Sequence, residues 1–407
     1  MKAQPSTLPP ELLRIREVAL KALEDLEPAD APRSDAEGRG LMLSSRTNGG
    51  RSLPAYYLVY FLLIDLLGFP SLGQWEKTAW TVPVRYRGRL YGIEHRKMGL
   101  GVFAPNLDPT ARMSGTPSEQ AEDDARAIAT LVTKAVSIAE PYFQWRAEQA
   151  VSTPGLNVVN KSAGLFDRYE YFRDRFRALS EEAEKRKAER NVEKRTLSDG
   201  TVVTSGSFPS FALRREAEWN AQAAIEAFFS WTEHVFIHLA ILQSKLRSGD
   251  EVARLASSDW KAKFKAAFDV AESQTKLHYD SLLDLRAQVR NFVAHGAFGK
   301  RGEAFSFHSG AGAAPVILTN SQRHKFSLTG RPAFDERLAI ADIESFLLHL
   351  WSGSRAPARH YIFSSLPSIL TYVVDGTYAR AMHSDDEMRL FVEHLSGEFD
   401  RAVDMDW

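Results

Sequence analysis

The sequence contains no cysteine among its 407 residues. That excludes disulfide frameworks and cysteine-ligated zinc, and it suits the cytoplasm, where we expect the protein to reside. An excess of charge of one sign is also missing: 51 Lys+Arg against 52 Asp+Glu leave a net charge of −1. No global field draws nucleic acid to the chain, so any such binding must use a local basic surface. Long apolar runs are absent too. The most apolar stretch, Ala55 to Phe69, carries Asp65 and falls short of the ~20 residues a membrane span needs. We expect a buried helix there and no membrane partner. The first residues, MKAQPSTLPPELLRI, place prolines and charges where a signal peptide would need an apolar core. No internal repeat is visible.

What remains is an ordinary globular composition, 44% hydrophobic and 25% charged, in a chain long enough for about two domains. Leu8 to Leu26 reads as a helix opened by Pro9 and Pro10, and residues 27 to 52 read as a loop. From Trp80 to Phe103 the period changes to two: Val82, Val84 and Tyr86 alternate with arginines, Gly88 turns, and Tyr91 and Ile93 follow. That pattern predicts a β-hairpin continued by a third strand. Residues 1–110 are therefore expected to be a small α+β domain, ligand-sensing or regulatory, with a boundary across residues 104 to 120.

The rest, residues 111–407, is expected to be helical with a C-terminal helical tail. Glu119 to Ala150 predicts one long helix disturbed at Pro141, and Ser162 to Arg195 predicts another. The second half of the latter, EEAEKRKAERNVEKR, balances acid and base and reads as a solvated face held by i,i+4 pairs. Asp199-Gly200 hints at a short hairpin. Helices are expected over Phe211 to Leu246, Asp259 to Ala271 and Arg337 to Trp351, then near Ser364 to Val374 and Asp385 to Phe399. A hairpin is expected within residues 301 to 329.

The stretch that carries chemistry is Asp280 to Lys300, DSLLDLRAQVRNFVAHGAFGK. Leu282, Leu285, Val289, Phe292 and Val293 recur at helical spacing. Gly296 suits the position just past a helix end. His295 then falls in the last turn, where the helix dipole favours an imidazolium. Asn291, four residues earlier, shares its face. Arg290 is about 140° around the helix from His295, so it reaches the same cleft by its length or meets a His from another chain.

Arg290, a polar Asn291, three more residues and His295 at the end of an amphipathic helix resemble the Rx4-6H motif of HEPN domains. These are helical bundles that include metal-independent RNases of toxin, phage-defence and CRISPR effector systems. The resemblance spans roughly residues 115 to 380. It implies a mainly α fold, a HEPN-like bundle with small β-hairpin insertions, and an RNA endonuclease of a toxin or antiviral defence system. It assigns Arg290, Asn291 and His295 to catalysis, and Arg286, Lys300 and Arg301 to substrate binding. RNA supplies its own 2′-hydroxyl nucleophile, so neither a metal nor a cofactor is expected. A homodimer is expected, and an antitoxin or other defence protein as a further partner.

Other constellations are weaker. His234 and His238 lie at i and i+4, but Val235 stands where a zincin has Glu, and ordinary packing is the better reading. Glu226 or Glu233 can face the cleft and orient Arg290. Glu94-His95-Arg96-Lys97 misses the Glu-x-Lys spacing of restriction-type nucleases by one residue. Arg85, Arg87, Arg89, Arg96 and Lys97 with Tyr86 and Tyr91 form either a charged outer face or a basic-aromatic surface. Gly296 to Lys300 only superficially resembles a phosphate loop, since the first Gly is absent and Arg301 replaces Ser/Thr. Two rival readings stand beside the nuclease: a non-catalytic HEPN protein that binds RNA, nucleotide or a partner, and a helical scaffold.

Overall fold

A computed structural model describes residues 8–30, 32–42, 44–105, 116–289, 303–318, 326–328 and 335–405. Among the described residues 60% are helical and 16% lie in strands, a mainly α composition. The chain divides into two compact units, Met1–Val151 with His394–Trp407, and Ser152–Glu393.

Alternation in the first hundred residues becomes an antiparallel sheet. After α1 (Pro10–Ala22) come β1 (Leu26–Pro28), α2 (Asp35–Met42), β2 (Ser45–Arg46) and α3 (Tyr56–Tyr60), which runs on as a π-helical turn to Leu66. β3 (Thr78–Tyr86), β4 (Arg89–Arg96) and β5 (Gly99–Ala104) form the expected meander. The sheet order is β1-β3-β4-β5-β2. The region expected to be loop thus supplies both edge strands and a helix. Edge strands of three and two residues are too short to show a period. α2 is tied down by a non-local contact, Glu37 accepting two 2.9 Å bonds from Arg85.

One face of the sheet is apolar: Val82, Val84, Ile93 and Val102 are buried in one core with Leu62, Leu63 and Leu66. That core also takes Ala125, Ile128 and Val132 of α4 (Glu119–Ile138) and Tyr142 of α5 (Glu140–Ser152). The stretch expected to open the helical region as one long helix therefore packs on the N-terminal sheet. The helix does break next to Pro141, as expected.

In the second unit, β6 (Asn157–Val158) leads to α6 (Ser162–Lys185), the hairpin β7 (Asn191–Thr196) and β8 (Val202–Ser207), and α7 (Pro209–Leu242). α6 stops ten residues before the expected Arg195. Beyond the buried Ala183 nothing apolar anchors it, and the chain turns into the hairpin at Asp199-Gly200. α6 and α7 lie antiparallel, with Tyr169 against Phe228 and Arg175 bonded to Glu216. α8 (Gly249–Ser257), α9 (Trp260–Ala267) and α10 (Ser273–Val289) follow. α8 was not expected; a capping box of Ser248 and Glu251 starts it. β9 (Glu303–Ser309), β10 (Gly312–Leu318) and β11 (Phe326–Ser327) form a small sheet where a hairpin was expected. α11 (Glu336–Leu350), α12 (Ala358–Phe363), β12 (Ser368–Ile369), α13 (Thr371–Val374), α14 (Thr377–Ala381) and α15 (Asp385–Asp404) complete the chain. Phe228, Trp231, Phe236, Trp260, Phe264 and Phe346 are buried at the centre of this unit. Among the described residues no helix is long and apolar enough to cross a membrane.

Candidate active site

α10 packs inward through Leu282, Leu285 and Val289, all buried. Arg286, one residue on from Leu285 and three before Val289, meets α7 instead. Its guanidinium donates to Glu233 Oε1 at 2.9 Å, and Lys263 Nζ of α9 donates to Glu233 Oε2 at 2.9 Å. One carboxylate thus holds two cations. The Arg286 guanidinium carbon lies 5.8 Å from the Phe229 ring centre and 5.9 Å from that of Trp260. Trp260 is itself fixed by Nε1–H donating to Thr232 Oγ1 at 2.9 Å. Lys263 is buried while Arg286 keeps 41% of its side chain exposed. The cluster therefore presents one partly solvated guanidinium, oriented by a carboxylate and two aromatic rings. Such a group suits an anion such as phosphate.

Of the two acids considered for this cleft, Glu233 faces α10 and Glu226 is exposed to solvent. Of the six site residues expected, Arg286 is placed here. Arg290, Asn291, His295, Lys300 and Arg301 lie outside the described residues. Arg290 follows Val289, the last residue of α10, directly in sequence. Lys263 was not anticipated. A signal existed: Lys263 lies between Trp260, Phe264 and Ala267 in the helical repeat, so a lysine on that apolar side requires a carboxylate.

His234 and His238 do meet, but as a hydrogen-bonded chain. The Lys161 N–H donates to His234 Nε2 at 2.8 Å, so that nitrogen is an acceptor. His238 Nε2 lies 3.1 Å from the same nitrogen. His238 Nδ1 is hydrogen-bonded to the buried Ser368 hydroxyl at 2.8 Å. Burial lowers the pKa of His238 to about 3 and also lowers that of His234, with the Lys161 ammonium adding to the second effect. Both are neutral at ordinary pH. Among the described residues no three His, Asp or Glu side chains are placed to hold a metal. A second pair, His278 and His349, stacks with ring centres 4.9 Å apart; burial lowers both pKa values. A separate groove of about 930 Å³ is walled by Phe166, Trp351 and Phe363. It mixes four carboxylates with two arginines and a histidine, so its charge selects no ligand class.

The residues of the N-terminal hairpin are accounted for within the fold. Tyr86 and Tyr91 point into the core. Arg85 is held by Glu37, Arg89 by Asp124 at 2.9 Å, Arg96 by Glu94 at 2.6 Å and Lys97 by Asp404 at 2.7 Å. Glu94 is buried and His95, on the opposite face, stacks on Tyr56 at 4.2 Å. A basic-aromatic surface does not form on this hairpin, because Tyr86 and Tyr91 are buried in the core and acids meet Arg85, Arg89, Arg96 and Lys97. No family model, curated protein or solved structure matches the chain.

Proposed function

We propose that the protein is a metal-independent RNA endonuclease of the HEPN type, acting in a toxin or antiviral defence system. One observation carries the reading: Arg290-Asn291-x3-His295-Gly296 directly follows α10, a helix packed in a mainly helical unit beside the Arg286–Glu233–Lys263 cluster. RNA brings its own nucleophile, so the protein needs a proton-transfer group and a cation. His295 serves as general base to the 2′-hydroxyl or as general acid to the leaving 5′-oxygen. Arg290 binds the scissile phosphate and stabilises the charge that builds on it. Asn291 orients the imidazole or bonds the phosphate. Arg286, four residues before Arg290, Lys300 and Arg301 bind the flanking backbone. The products are a 2′,3′-cyclic phosphate and a 5′-hydroxyl.

In this reading the active unit is a homodimer, in the cytoplasm, with Arg290 of one chain and His295 of the other around one phosphate. An antitoxin or another defence protein restrains it, and the N-terminal unit regulates it. The test is cleavage of a structured and an unstructured RNA in excess EDTA. Wild type is expected to cut and leave cyclic-phosphate ends, while His295→Ala and Arg290→Ala, with unchanged melting curves, do not. RNA binding without cleavage by wild type would favour the non-catalytic alternative. Cleavage by the two variants would end the catalytic assignment.

A further inference from the structure

The hairpin β7–β8 stands at the tip of the α6–α7 pair with all twelve of its strand residues exposed. Among the described residues each strand pairs only with the other. A lone two-stranded ribbon is marginal in water, and three or more strands are normally needed for stability. Free edges are usually guarded by charge. β7 is guarded: Glu193, Lys194 and Arg195 occupy its centre. β8 is not. It reads Val-Val-Thr-Ser-Gly-Ser, with no charge and no proline, and Val202 and Val203 are 58% and 45% exposed.

We infer that β8 is a pairing edge for a second copy of this chain, joining two hairpins into a four-stranded sheet ordered β7-β8-β8-β7. The choice of occupant follows from the sequence of the edge. Only residues of one parity along a strand aim their N–H and C=O groups at a given edge. A strand that pairs with its own copy about a two-fold axis must therefore set one residue opposite itself. Centring on Thr204 keeps nearly all of β8 paired. It lays Thr204 on Thr204 of the other copy, Val203 on Ser205 and Val202 on Gly206. No like charges oppose one another, and a Thr–Thr cross-strand pair is favourable. The same operation on β7, centred on Lys194, would oppose two lysines. Self-complementarity of this kind is what a two-fold interface requires. The inference does not depend on the nuclease reading, since the hairpin shares no residue with the site proposed above.

The chain's lack of cysteine makes the test direct. Opposed Cα atoms in an antiparallel pair are about 4.5–5.5 Å apart, within the roughly 4.4–6.8 Å that a disulfide spans. Full-length Thr204→Cys, diluted to micromolar concentration under mild oxidation, is expected to form a covalent dimer at least tenfold faster than Lys194→Cys. A mixture of Val203→Cys and Ser205→Cys is expected to cross-link faster than either alone. Equal rates for the Thr204 and Lys194 variants, or no cross-linking while both melt like wild type, would overturn the inference. RNA cleavage by these variants is read separately, so failure of the pairing and failure of the nuclease assignment remain distinct.

Discussion

Lys263 lies on the apolar side of α9 with 5% of its surface exposed, and Glu233 Oε2 at 2.9 Å is what allows a charge there. Removing the carboxylate leaves a buried cation unpaired, which costs far more than losing a solvated pair. Glu233→Ala is therefore expected to destabilise the protein by about 3 kcal/mol. Arg286→Ala, which loses the more exposed arm of the same cluster, is expected to cost no more than about 1 kcal/mol. Urea or thermal denaturation of the two variants checks the order; equal losses would mean that the carboxylate is not the hinge of the cluster. If RNA is the substrate, Arg286→Ala should still weaken its binding, because that guanidinium is the one left partly open.

At the scale of elements, β6 and β12 share only two residue pairs, so side chains must help to anchor them. Asn160 Nδ2 bonds the carbonyls of Ile362 and Leu366, and Ser368 bonds His238. The unfolded chain protonates His238 near its ordinary value of 6.5, whereas the folded protein resists until about 3. The unfolded state thus binds the proton first, and stability falls as pH drops through that window, by up to about 1.4 kcal/mol per pH unit. Urea midpoints at about pH 7 and about pH 4.5 should differ clearly in wild type and less in His238→Gln; the same difference in both would place the titrating group elsewhere. The start of α8 offers a simpler check. Ser248 Oγ accepts from the Glu251 N–H, and Glu251 Oε2 accepts from the Ser248 N–H in return. Ser248→Ala is expected to cost about 1 kcal/mol, read as a shift in the urea midpoint.

For the whole molecule, the expectation concerns how many chains make a site. Residues five positions apart on a straight helix diverge by about 140°, so in the proposed reading Arg290 and His295 are drawn from two chains. Two chains related by a two-fold axis can supply one of each to a shared cleft. Mixing inactive Arg290→Ala and His295→Ala proteins after chain exchange should restore about a quarter of wild-type cleavage, since half the dimers are mixed and each keeps one complete site. Mixed dimers that form and stay inactive, or wild type active as a monomer at high dilution, would refute a composite site.

The sequence by itself determined the longer strands and helices that bury one face, but not the short elements Ala358–Phe363 and Ser368–Ile369, where a helix was expected near Ser364 to Val374. The meander from Thr78 to Ala104 and the helix α7 were legible because period-two and period-3.6 burial write themselves into residue order. It also supplied the motif from Arg290 to His295, a pattern of neighbours along one segment. Only the tertiary structure decided what depends on residues far apart in sequence. Glu37 on Arg85 made a helix of an expected loop. Glu233 was drawn to Lys263 and Arg286 across 30 and 53 positions. His238 was locked to Ser368 across 130. Short edge strands and buried ion pairs carry no period, because their partners are chosen by the packing of whole elements and not by spacing along the chain.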